Sequence, residues 1–119
     1  MKLQKENLQT KTNLTVDQVC KMLDENDRSY PRCFLADELG IAAFKENNSQ
    51  AQDKLCKLLN DDESEKVIEV KHVSYCWLCV LENKTNKTIE ALTQFVKNPE
   101  NEFIITLAKE KRNISFSEN

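Results

Sequence analysis

The chain has 119 residues, with a single glycine at Gly40 and only two prolines, Pro31 and Pro99. That length is one domain's worth. An antiparallel β protein does not fit, because tight hairpins lean on glycine or Asn-Gly and the chain has neither Asn-Gly nor Asp-Gly. Seventeen Lys and Arg against twenty Asp and Glu leave a net charge of −3, with the signs mixed along the sequence. Nucleic-acid binding is therefore not expected, and a phosphate-cradling loop would need several glycines close together.

Residues 1–14 read as a polar, flexible lead-in without the apolar run of a secretory signal. A capping box then opens the first helix, predicted over 16–25. Thr15 and Gln18 satisfy each other's backbone, and Leu14 and Val19 stand at staple positions. Val16, Val19, Cys20 and Leu23 follow at helical spacing. Asn26 to Ser29 breaks the pattern. Ser29 is expected to cap the second helix, with Pro31 in its first turn. Residues 30–44 are apolar over so wide an arc that this helix should be buried on more than one side.

A loop at Lys45–Asn48 precedes a third helix capped by Ser49, with Ala51, Leu55, Leu58 and Leu59 as its stripe. The fourth helix, predicted over 64–82, is the most apolar, yet its longest apolar run, Cys76 to Leu81, falls far short of the ~20 residues of a membrane span. The fifth helix is predicted over 87–97. Asn98-Pro99 is a helix-start signal for a sixth, over 99–111. Residues 113–119 read as a flexible tail.

The helices fall into a repeat. Val19, Met22 and Leu23 match Leu55, Leu58 and Leu59, and these match Leu92, Phe95 and Val96. The more apolar second helices also align, with Pro31 to Gly40 lying over Val70 to Cys79. This resembles the HEAT-repeat pattern of an acidic turn, a Val-Arg-like start, small residues in mid-helix and then Leu-Gly. Asp27, Arg32, Ala36, Leu39 and Gly40 carry it in the first unit, and Asp62, Val70, Lys71, Ser74 and Leu78 in the second. Pro31 replaces the usual branched residue and Cys79 the glycine. The third unit keeps only Asn98 and an apolar run. The resemblance implies an all-α domain over 15–112, with about six helices in three antiparallel pairs forming a right-handed solenoid. A compact irregular six-helix bundle is the alternative.

His72, Cys76 and Cys79 sit at i, i+4 and i+7 on one helix. A zinc site is the sharp reading, with Cys33 or Cys56 as a fourth ligand; Cys76-x-x-Cys79 also has the spacing of a redox pair. The pair lies deep in a helix and not at the N-terminus that lowers a thiol's pKa. The bland reading, small hydrophobes in a core, is preferred. His72 has no nucleophile motif beside it, and Glu69 is placed to pair with it. No catalytic residue, cofactor or metal is therefore expected. The five cysteines, an odd number in a chain without a secretory signal, are expected to be reduced, and the protein cytoplasmic.

What remains is recognition. The expected function is a non-enzymatic module, an adaptor or an inhibitor of the immunity type, that binds a partner protein or peptide. Tyr30, Arg32, Tyr75, Asp61 and Asp62 are the candidate contacts, the aromatics because such residues anchor binding surfaces. Trp77 is expected in the core and Tyr75 on an exposed face. The alternatives are a metal or redox protein using His72, Cys76 and Cys79, and a HEAT-like nucleic-acid binder.

Overall fold

Polar breaks divide the apolar stretches, and helices form between them. The computed structural model describes residues 4–60 and 67–116. It contains α1 (Val16–Asp24), α2 (Arg32–Glu46), α3 (Ser49–Asn60), α4 (Val67–Val80), α5 (Asn86–Lys97) and α6 (Glu102–Arg112), with 3-10 turns at Lys5–Asn7 and Pro99–Asn101. No strand occurs among the described residues. The protein is all-α.

Local chemistry sets most helix starts. Thr15 Oγ1 accepts from Gln18 N at 3.1 Å and Gln18 Oε1 accepts from Thr15 N at 2.8 Å, so the capping box forms as read. Thr85 caps α5 through Thr88 N. Asn98 caps as expected, accepting from Glu100 N, but the turn it opens is 3-10 and α6 proper begins at Glu102.

Two starts differ from expectation. Ser29 does not cap α2, because the helix begins at Arg32 and the cap position falls on Pro31; the Ser29 N–H donates to Asp27 Oδ1 at 2.9 Å in a local turn. Pro31 occupies the cap position with extended backbone, and the helix begins one residue later, without a side-chain cap. At α3 the cap is Asn48 and not Ser49: Asn48 Oδ1 accepts from Ala51 N at 2.9 Å. Asn and Ser are near-equal caps, and the one residue whose side chain is placed to accept Ala51 N is Asn48. Three chain reversals pass through left-handed asparagines, Asn26, Asn47 and Asn113, with φ of 54°, 54° and 55°.

The helices pack in two layers. Each odd-numbered helix touches the next odd one and each even-numbered helix the next even one, while α1 with α2, α3 with α4, α2 with α3, and α4 with α5 join the layers. The radius of gyration, 13.3 Å, matches the ~13.5 Å of a compact chain of this length, which a compact six-helix bundle fits as well as three short pairs. α2 is buried on several sides, as its sequence predicts; Leu35, Ala36, Leu39, Gly40, Ile41, Ala42, Ala43 and Phe44 are all buried.

α2 and α4 meet at Gly40. A Cβ built there would lie 2.2 Å from Trp77 Cγ, so the indole lies against bare backbone. Trp77 is half-buried and packs at the edge of the core, where its sequence reading placed it inside. Tyr75 corrects the opposite expectation. It is fully buried, stacked on Phe95 with ring centroids 5.2 Å apart. α4 packs against α2, α3, α5 and α6, which leaves its Tyr75 side no route to solvent.

Both terminal segments have anchors where they are described. Phe116 N donates to Tyr75 Oη at 3.2 Å, and Ile114 N to Ala108 O at 3.1 Å. Residues 4–14, read as a lead-in, lie against α2. In an unobstructed helix Gly→Ala stabilises by about 1 kcal/mol. Gly40→Ala is expected instead to cost about 1–3 kcal/mol through overpacking, read as a lower urea midpoint. A second substitution, Trp77→Leu, should shrink that penalty.

Candidate functional site

α2 is apolar nearly all round, with one polar interruption at Asp37-Glu38. Both carboxylates are engaged. Asp37 Oδ1 accepts the Trp77 indole N–H at 2.7 Å. Glu38 is only 5% exposed, and its carboxylate reaches the extended segment that precedes α1. Oε2 accepts from Lys11 N at 3.1 Å; Oε1 accepts from Thr12 N at 3.1 Å and from Thr12 Oγ1 at 2.7 Å. Three donors on one carboxylate meet the requirement that a buried charge be hydrogen-bonded.

The segment continues along α2 as a strap. Lys45 Nζ donates to Leu8 O at 2.8 Å. Lys11 Nζ stands 4.0 Å from Asp37 Oδ2 and 5.7 Å from the centroid of Phe34. Lys5 Nζ stands 3.4 Å from Glu82 Oε1 and 5.7 Å from the centroid of Phe44. Each lysine is thus held between a carboxylate and an aromatic face. Phe44 and Trp77 pack tilted at 6.0 Å, and Tyr30 stacks on Phe34 at 5.4 Å, which extends the aromatic row to the start of α2. The result is one face on α2 and α4 lined with aromatic rings and carboxylates.

Of the residues singled out in the sequence, Tyr30 borders this face. Arg32 points elsewhere: its guanidinium donates to Leu23 O at 2.9 Å, closing the last turn of α1. Tyr75 is interior and drops out as a contact. Asp61 and Asp62 lie outside the described residues. Phe34, Asp37, Glu38, Phe44 and Trp77, together with Lys5 and Lys11, were missed. The available signal was a two-carboxylate break in a helix otherwise apolar enough to be buried all round.

The thiols and the histidine do not assemble. Among the described residues no three His, Cys, Asp or Glu side chains are placed to hold a metal ion. Burial pushes the Cys79 thiol up to about 12 and raises Cys76, the opposite of a reactive pair. Cys33 and Cys56 are also raised by burial; Glu69, expected beside His72, adds to the shift of Cys33. His72 Nε2 is buried without a partner. Burial depresses the imidazole's pKa, and Arg112 and Lys111 at the end of α6 depress it further.

Compared with known proteins, the chain matches no family model, no curated sequence and no solved structure.

Two measurements follow from these environments. Thiol titration of the native protein at pH 8 should leave Cys76 and Cys79 unreacted, while guanidinium should expose all five thiols. The fold holds His72 neutral. Below its ordinary pKa of 6.5 the unfolded chain binds a proton that the folded one refuses. Stability therefore falls as pH drops through 6.5 and levels off below the depressed native value. The chain's single histidine should titrate by NMR with a midpoint below 6.5, and His72→Gln should flatten this acid slope.

Proposed function

We propose that the protein is a non-enzymatic recognition module, a short stack of helical pairs of the HEAT-like kind, which takes a partner protein or peptide, as an adaptor or inhibitor, on the α2–α4 face where residues 5–12 now lie over the buried Glu38 and Phe44. The observation that carries this reading is the concentration of Tyr30, Phe34, Phe44 and Trp77 beside Asp37 and Glu38 on one face. Trp77 keeps its one polar atom engaged with Asp37, and Trp and Tyr are the aromatic types that most often anchor interfaces. The rest of the interior is taken up by packing, and the thiols are turned to that use. No described helix is long and apolar enough to cross a membrane. All five cysteines are unpaired, which suits a reducing compartment such as the cytoplasm.

Site-specific photo-cross-linking tests the reading. A photoreactive phenylalanine replaces Tyr30 at the border of the face, and in a second protein replaces Ile89, which is 41% exposed on α5. In extract of the source cells, a discrete adduct from position 30 and none from position 89 is expected. No adduct, or the same diffuse adducts from both positions, would overturn the proposal.

A further inference from the structure

The strap that crosses the candidate face is bound to it like a ligand. It follows the 3-10 turn Lys5–Asn7 and has no helix from Leu8 to Thr15; Leu8 and Thr15 are extended, and the chain bends at Lys11–Thr12. Most of its side chains are exposed; Leu8, Thr12 and Leu14 are half-buried, and Lys5 lies partly covered. What holds it is a set of separate polar anchors. These are the Glu38 carboxylate on two consecutive amides and a hydroxyl, Lys45 on the Leu8 carbonyl, and Asp37 and Glu82 beside the two lysines. Beside it lies a half-open depression of about 400 Å³, lined among others by Thr10, Leu14, Val19, Glu38, Leu39 and Ala42. Lifting residues 5–12 gives up hydrogen bonds, exposed ion pairs and the packing of one half-buried leucine, Leu8, against the core.

Lifting it also has a definite consequence for α2. Glu38 would lose all three of its donors and be left as a largely buried carboxylate without a partner, a costly state that a replacement segment relieves. The Phe34 and Phe44 rings would lose their cations. Only Asn13 and Leu14 separate the last anchored residue, Thr12, from the cap of α1 at Thr15. The strap is therefore tethered next to its own groove at an effective concentration on the millimolar scale.

Resting on the recognition reading above, we infer that the α2–α4 face is a groove for a lysine-bearing peptide of the partner, and that residues 5–12 occupy it in cis as a competitor. The strap itself states what the groove takes. One lysine seats between Glu82 and Phe44, a second between Asp37 and Phe34, and the amide of that second lysine, with the amide and hydroxyl of the following residue, seats on Glu38. The lysines are six residues apart, as Lys5 and Lys11 are. An acidic segment is refused, because Asp37, Glu38 and Glu82 would all oppose it.

The test uses the full chain and a labelled ten-residue peptide with the sequence of Gln4 to Asn13. Lys5→Ala with Lys11→Ala weakens the strap and leaves the groove untouched. Peptide binding by anisotropy at low salt is expected to be about tenfold or more tighter for this variant than for the unaltered chain, since the cis competitor is weaker. Adding Glu38→Gln should abolish the gain, and a peptide with both lysines changed to Glu should not bind. Amide exchange of the unaltered protein serves as a second reading that requires no variant to fold. Excess peptide should speed exchange at Lys11 and Thr12 while the amides of α4 stay as they are. Absence of saturable binding to the strap variant, binding indifferent to Glu38→Gln, or exchange at Lys11 and Thr12 unmoved by peptide would overturn the inference. A specific cross-link from position 30 with any of these negative results would leave recognition standing and remove only the groove's lysine-peptide assignment.

Discussion

The approach of α2 to α4 over Gly40 is the constraint on which the rest of the molecule depends. An indole laid against bare backbone brings the two central helices closer than any side chain at that position would allow. The same indole donates its N–H to Asp37, one turn before the glycine on α2. Trp77 thereby fixes distance and rotation together. With α2 and α4 locked, Leu35, Leu39 and Leu78 become inaccessible between neighbouring helices, and each such side chain adds about 1.5–3 kcal/mol of burial. The rotation that hides those leucines also leaves Phe34, Asp37 and Phe44 along the strap's path. Core and face are two sides of one helix orientation.

Away from that contact, the stack is registered by a few polar side chains buried where a chain segment arrives. Gln52 on α3 is 4% exposed. Its Oε1 accepts from Thr85 N at 2.9 Å and from Thr88 Oγ1 at 2.6 Å, and its Nε2 donates to Asn83 O at 3.3 Å. Cys56 Sγ lies 3.2 Å from the same Thr88 hydroxyl. Gln52 thus holds the entry to α5, and Glu38 holds the segment leading to α1. The two differ in a telling way. The amide of Gln52 is neutral and its partners belong to a turn between helices. The carboxylate of Glu38 is charged and its partners belong to a strap with a half-open depression beside it. The first arrangement suits permanence and the second suits exchange.

The all-α class and the six helices were legible in the sequence because they rest on local chemistry: scarce glycine, apolar spacing, and caps at Thr15 and Asn98. Where local signals competed, the reading slipped by a residue or two, as with Ser49 against Asn48, or with Ser29 against Pro31. Burial of α2 on several sides was legible from its apolar arc alone. Tyr75 and Trp77 were not. Both lie on a helix apolar over most of its circumference, and which flank meets a neighbour depends on tertiary packing that spacing does not encode. The face was harder still. Its lysines come from residues 4–14, which carry no periodicity, and they meet carboxylates more than twenty residues later in the chain. Such a pairing leaves only a faint trace, the acidic pair in mid-helix. The His72, Cys76 and Cys79 alignment shows the converse: correct spacing along one helix is insufficient when, among the described residues, no further ligand is placed beside it.

Asn26, Asn47 and Asn113 take the left-handed backbone that glycine usually supplies at helix ends. Asparagine tolerates that conformation because its short amide bonds locally, whereas most other side chains find it costly. Delegating these three bends to asparagine leaves the lone glycine available for the middle of a helix, where absence of a side chain matters more than freedom to turn. The near absence of glycine that first excluded a β fold is thus a division of labour. One residue type bends the chain, and the other is reserved for the single spot where two helices must almost touch.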